Sequence, residues 1–170
     1  LSESELREVR WSGISIVFQG AMNSWNPVVK IGEQIREAMR EHYPDKTKDE
    51  NTKKIIELFD IVGLDSSTID RFPHELSGGM KQRAVIALAL SCDPKLIIAD
   101  EPTTALDVVI QDQILKEIRK VQDVLGLSLI YISHDIAVIA EMTDNMAVMY
   151  AGSIVAVSYT HLTLPTNTPV

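Results

Sequence analysis

Three short stretches of this chain carry side chains that can handle phosphate and water. The first is Leu76-Ser77-Gly78-Gly79-Met80-Lys81-Gln82-Arg83. Two glycines at a helix start cost roughly 1 kcal/mol each against alanine. They are tolerable where a ligand must come close to the backbone. The free N–H groups of the first turn and the positive end of the helix dipole then face an anion. Ser77 can cap the helix or give its hydroxyl to a phosphate oxygen. The plainer reading of these residues is a serine-capped helix with a flexible start.

The second stretch is Leu96-Ile97-Ile98-Ala99-Asp100-Glu101. Four apolar residues make a buried strand, and its carboxyl end delivers two acids where open α/β sheets bind ligands. Asp100 can hold Mg²⁺, usually through water. Glu101 can polarise or deprotonate an attacking water. Many strands end in an acid before a loop, so the pattern alone stays open. The third stretch, Ile130-Tyr131-Ile132-Ser133-His134-Asp135, is again a strand with a polar end. His134 can hydrogen-bond a terminal phosphate, or serve the structure only. Gln19 closes a strand in the same way.

Elements must hold these residues. Residues 13–19 read as a short buried strand through Ile14, Ile16, Val17 and Phe18, followed by a loop over 20–27. Helical spacing predicts helices over 31–42 and 51–62, with Gly63 as a stop. Residues 45–49 read as a polar connector, and 66–75 as a loop with one short helical turn at most. A long helix opens at Ser77 and reaches Cys92. A strand over 96–100 precedes a helix from the Asp107 cap to about Leu125, which Gly126 ends. A buried strand over 127–133 and a helix over 136–142 follow. Strands over 145–150 and 153–156 flank Ala151-Gly152, a hairpin turn. Strands alternating with helices from 96 to 156 predict a parallel sheet covered on both faces. The helices from about 28 to 92 read as an insertion into that sheet.

The bulk properties narrow the field. The 170 residues carry a formal charge of -8 with a pI near 4.9, which argues against non-specific binding to nucleic acid. The single cysteine, Cys92, permits no internal disulfide, so a reducing compartment and a buried structural thiol are expected. No apolar run approaches the roughly 18 residues of a membrane span, and residues 1–10 do not read as a signal peptide. The chain opens on Leu1 rather than Met, and we expect an internal fragment. Residues 157–170 have no helical period, and 157–166 resemble the translated read-through of a sequencing adapter. We expect a non-native tail there and assign His161 no role.

Taken together, the order and spacing of these motifs resemble the ATP-binding cassette (ABC) ATPases, from about Gly13 to Ala156. Leu76 to Gln82 is similar to their signature motif and Leu96 to Asp100 to their Walker B strand, with Glu101 as the catalytic glutamate. Ala105-Leu106-Asp107 resembles the D-loop, His134 the switch histidine and Gln19 the Q-loop glutamine. Phe18 to Pro27, Phe72-Pro73-His74-Glu75 and Ala99 to Asp107 resemble the ATPases of dipeptide, oligopeptide and nickel importers. Met80 replaces the commoner signature glutamine, which leaves more of the contact to Ser77 and the backbone. His74 is expected to pack within its loop.

The resemblance implies an α/β, P-loop NTPase-type parallel sheet, partial here. Its RecA-like part would be residues 13–19 and 93–156, with a helical subdomain at about 28–92. It implies ATP and Mg²⁺ as ligands. Glu101, His134 and Gln19 would be catalytic, and Asp100 and Gln19 would serve Mg²⁺. Ser77, Gly78, Gly79, Met80, Gln82 and Asp107 would contact nucleotide across a head-to-tail pair of cassettes. The implied partners are a second ATPase subunit, identical or paralogous, membrane permease subunits and, indirectly, a solute-binding protein; nucleic acid is not among them. The implied location is peripheral, on the cytoplasmic face of the membrane. No Gly-x-x-x-x-Gly-Lys-Ser/Thr occurs in the chain. We therefore expect these 170 residues neither to bind ATP tightly nor to hydrolyse it alone. A non-transport cassette, such as a DNA-repair protein or translation factor, is the rival. DNA-repair cassettes place a long coiled coil between Q-loop and signature, whereas only 56 residues without a heptad run separate Gln19 from Leu76.

Overall fold

The computed structural model describes residues 9–104 and 106–159. Ala105, His161 and the tail from residue 160 onward lie outside the described residues. The chain divides into two units, Leu1–Ile130 and Tyr131–Val170.

In the first unit, α1 (Ile31–His42) forms because Ile31, Ile35 and Met39 recur at helical spacing. All three are fully buried, and each such side chain stabilises by about 1.5–3 kcal/mol. Helix α2 (Lys48–Ile61) starts earlier than its apolar pattern suggests. Thr47 Oγ1 accepts from the Glu50 N–H at 3.3 Å, and the Glu50 carboxylate accepts from the Thr47 N–H at 2.8 Å. This reciprocal cap carries the helix back into the stretch read as a connector. Ile55, Leu58, Phe59 and Val62 face the same core. Two 3-10 turns, Ser66–Asp70 and Pro73–Glu75, occupy the stretch where one was expected.

Helix α3 (Gly78–Leu90) is buried on nearly every side. Small residues such as Ala84, Ala87 and Ala89 let other elements approach it all round. Strands β1 (Ile14–Val17) and β2 (Leu96–Asp100) pair in parallel, with Val17 opposite Ala99. Asp107 caps α4 (Val108–Leu125), its carboxylate accepting from the Ile110 N–H at 3.0 Å. Gly126 ends α4 at φ +63°, a conformation that glycine adopts without strain. Strand β3 (Ser128–Ile132) completes a sheet of order β1-β2-β3.

Within the first unit, α3 and α4 cover one face of this sheet. Val17, Ile97 and Ala99 pack with Ile86 of α3 and with Ile118 and Val121 of α4. On the alternate face Ile16 is 42% exposed, and Phe18, just past the strand, is 61% exposed. Ile16 and Phe18 are therefore not buried, although residues 13–19 read as a buried strand. Side chains alternate across a strand, so helices on one side bury every second residue only.

In the second unit, α5 (Ile136–Met142) is capped by Asp135, which accepts from the Ala137 and Val138 N–H groups. Strands β4 (Asn145–Tyr150) and β5 (Ser153–Tyr159) form an antiparallel hairpin, and β5 runs three residues past the expected end. Ala151 and Gly152 both have positive φ, as a two-residue type I′ turn requires.

Thr47→Ala should lower stability by about 1 kcal/mol, read by chemical denaturation. The Thr47 hydroxyl and N–H hold the Glu50 carboxyl below its ordinary value. A lowered carboxyl contributes stability above its unfolded pKa and loses it as pH falls through the folded one. Glu50→Gln should therefore melt below the parent near neutral pH, with the gap closing below about pH 4.

Candidate functional site

The strand register builds the centre of the site. Val17 and Ala99 are direct neighbours on parallel strands. Two residues further along each strand stand Gln19 and Glu101, so their side chains leave the same sheet edge together. Gln19 Nε2 donates to Glu101 Oε2 at 3.0 Å. Thr104 Oγ1 donates to the same oxygen at 2.9 Å. Glu101 itself has φ +44°. Such a conformation costs a non-glycine residue about 1–3 kcal/mol and persists where its surroundings enforce it. The strained turn and two donors aim one carboxylate.

Asp100 ends β2 immediately before it. Among the described residues no cluster of three His, Cys, Asp or Glu forms a protein cage for a metal. Mg²⁺ needs no such cage, because it keeps waters and takes one or two carboxylates plus substrate phosphates. Gln19 uses its amide nitrogen on Glu101, so its carbonyl oxygen would be the atom to meet a hard cation. The residues present fit Mg²⁺.

The loop after Gln19 is pinned from two sides. Trp25 is buried, and its Nε1 donates to the Lys81 carbonyl of α3 at 3.4 Å. Gln34 of α1 accepts from the Asn26 N–H at 2.9 Å and donates to the carbonyls of Asn26 and Val29. Trp25 and Gln34 are positioning residues that motif reading missed. An isolated tryptophan in a polar loop was the available signal.

The glycine-rich turn lies at the start of α3. Ser77 caps it, its Oγ accepting from the Met80 N–H at 3.3 Å. Gly78 is exposed, as an anion contact requires, whereas Gly79 is buried. A Cβ on Gly79 would lie 2.8 Å from Ile110 Cγ2 of α4, while one on Gly78 would meet Leu106 at an ordinary 3.5 Å. Gly79 thus has a packing reason independent of any ligand. Met80 is half-buried. Gln82 is only 1% exposed, and its Nε2 has no hydrogen-bond partner. Gln82 is thus packed within the core around α3 and carries an unpartnered donor beside the glycine-rich turn. Asp107 stays exposed beside this turn, as the cap of α4.

Arg83 of α3 bonds Glu117 of α4 through Nε at 2.8 Å, with both side chains about one-fifth exposed. Burial pushes the Glu117 carboxyl up, against the pull of Arg83. His74 stacks on Phe72 with ring centroids 5.6 Å apart, in keeping with packing inside its loop. Cys92 is fully buried, and burial raises its thiol pKa. In the second unit His134 is exposed between β3 and the capped start of α5.

With this geometry in view, the comparisons with known proteins are specific. The ABC transporter family profile matches residues 3–104, and the chain belongs to that family. It is 48% identical over 157 residues to the oligopeptide transport ATP-binding protein OppD of Bacillus subtilis, covering 91% of this chain and 44% of that protein. It is 45% identical over 157 residues to the dipeptide transport ATP-binding protein DppD of Lactococcus lactis, covering 91% and 45%. The chain therefore spans less than half the length of these relatives. The dimeric structure of MJ0796, a bacterial ABC transporter cassette, superposes with a TM-score of 0.80 at 27% identity. It covers 96% of this chain and 69% of that one. Among the described residues no helix is long and apolar enough to cross a membrane.

Gly79→Ala should destabilise the chain by about 1–3 kcal/mol through overpacking against Ile110. Gly78→Ala should be neutral or stabilising by up to about 1 kcal/mol. Equal effects of the two in denaturant melts would contradict the packing reason for Gly79.

Proposed function

We propose that the whole protein is an ATP-hydrolysing subunit of an importer for peptides or nickel. The similarity to OppD and DppD, ATP-binding proteins of oligopeptide and dipeptide transport, supports the peptide reading, and the oriented Glu101 carboxylate carries it. Glu101 takes the proton of a water that attacks the γ-phosphate of ATP, in phosphoryl transfer driven by positioning and electrostatics. Gln19 and Thr104 hold Glu101 in place. Asp100 and the Gln19 carbonyl would hold Mg²⁺, which neutralises charge on the phosphates. Ser77, Gly78, Gly79 and Met80 offer a hydroxyl and helix-start N–H groups to the nucleotide of a paired subunit. Asp107 communicates across that pairing, and His134 reads the terminal phosphate.

The pair is made with a second cassette, the same or a paralogue. The loop after Gln19 meets a membrane permease, which holds the subunit peripherally at the cytoplasmic face; a solute-binding protein contributes indirectly. In the whole protein the helices at about 28–92 form a subdomain inserted between RecA-like parts at 13–19 and 93–156. Residues 157–170 are a non-native tail, on the adapter resemblance alone. The phosphate-gripping lysine loop belongs to the whole protein rather than to these 170 residues.

Glu101→Gln in the whole protein should cut steady ATP turnover by roughly 10²–10⁴-fold while nucleotide binding persists. Turnover at the parent rate would overturn the assignment. The 170-residue chain alone should show no turnover above background.

A further inference from the structure

The helical cluster carries a cleft that the chemistry above does not use. Glu33, Arg36 and Arg40 of α1, Lys46 before α2, and Lys48 and Asn51 of α2 line a space of about 160 Å³. That is far above the ~10–15 Å³ one water needs. Four cations and one carboxylate give this lining a formal charge of +3, in a chain whose total is -8.

Glu33 is already shared out. Its Oε2 accepts from Arg36 Nε at 3.0 Å, and its Oε1 from Arg40 Nη2 at 2.7 Å. Arg36 Nη1 also reaches Thr52 Oγ1 at 3.4 Å. Lys46 Nζ stands 4.0 Å from the centroid of the Tyr43 ring. Lys48 forms no ion pair within 4 Å among the described residues. The start of α2 adds partial positive charge to the same side. Asp49 and Glu50 stand in that first turn, and Glu50 is committed to the cap.

The decisive observation is Asn51. It is 1% exposed, it lines the cleft, and its Oδ1 has no hydrogen-bond partner. A buried acceptor left unpaired is costly. Whatever satisfies it must bring a donor, while the cations around it call for an anion.

We propose that this cleft binds a hydrogen-phosphate group. Its anionic oxygens accept from Lys48, Arg40 and Arg36, and its remaining P–OH donates to Asn51 Oδ1. Inorganic phosphate keeps such a hydroxyl near neutral pH; sulfate, of similar size and shape, has none. The site is separate from Glu101 and does not depend on the nucleotide reading.

The test is calorimetric titration of the chain with sodium phosphate and, separately, sodium sulfate, near neutral pH at matched ionic strength. Phosphate should bind roughly tenfold or more tightly than sulfate, because a site built for a hydroxyl rejects the analogue lacking it. Lys48→Gln and Arg40→Gln, both at exposed helix positions, should each weaken phosphate several-fold with unchanged melting temperature. Equal affinity for the two ions, no phosphate binding, or phosphate binding indifferent to both substitutions would each overturn the proposal.

Discussion

The hydrogen bond from Gln19 to Glu101 is the constraint on which the site depends, and the sheet register produces it. Parallel pairing puts Val17 against Ala99, and each strand then presents its second following residue at one edge. A slip of one residue would turn every side chain of β1 to the other face and separate the amide from the carboxylate. The positive φ of Glu101 occurs where Gln19 and Thr104 both bond its carboxylate and β2 holds the residue before it. The orientation of the Glu101 carboxylate goes together with local backbone strain.

Helix α3 connects that edge to the rest of the first unit. Its start carries Ser77 and the glycines, its second turn accepts the Trp25 indole, and its apolar side supports the sheet at Ile86. Gly79 lets α4 approach at Ile110, and Arg83 bonds Glu117 of that helix. The glycine-rich turn and the Asp107 cap of α4 therefore have a shared packing origin. A change in one should be felt in the other without a ligand between them.

Much of this was legible in the sequence, for identifiable reasons. The Ile31, Ile35, Met39 stripe, the Asp107 cap and the Gly126 stop are local signals, and each element formed where they pointed. Helix α2 began earlier because composition masked Thr47-x-x-Glu50, a capping signature that was there to be read. Burial of β1 was overestimated at Ile16 and Phe18, since a run of apolar residues does not tell which faces receive a helix. The packing reason for Gly79 was not legible, because Ile110 lies 31 positions away in the chain and no local pattern announces it. The burial of Gln82 was not legible either: a polar residue on a helix reads as exposed until the helix proves to be buried all round.

A double-mutant cycle on ATP turnover in the whole protein tests the central claim most directly, with Gln19→Ala and Glu101→Gln made singly and together. If Gln19 acts mainly by holding Glu101, Gln19→Ala should slow the parent much more than it slows the Glu101→Gln background, where only its Mg²⁺ contact is left to lose. The same proportional loss in both backgrounds would mean that the two side chains work independently, and that the register does not build the site.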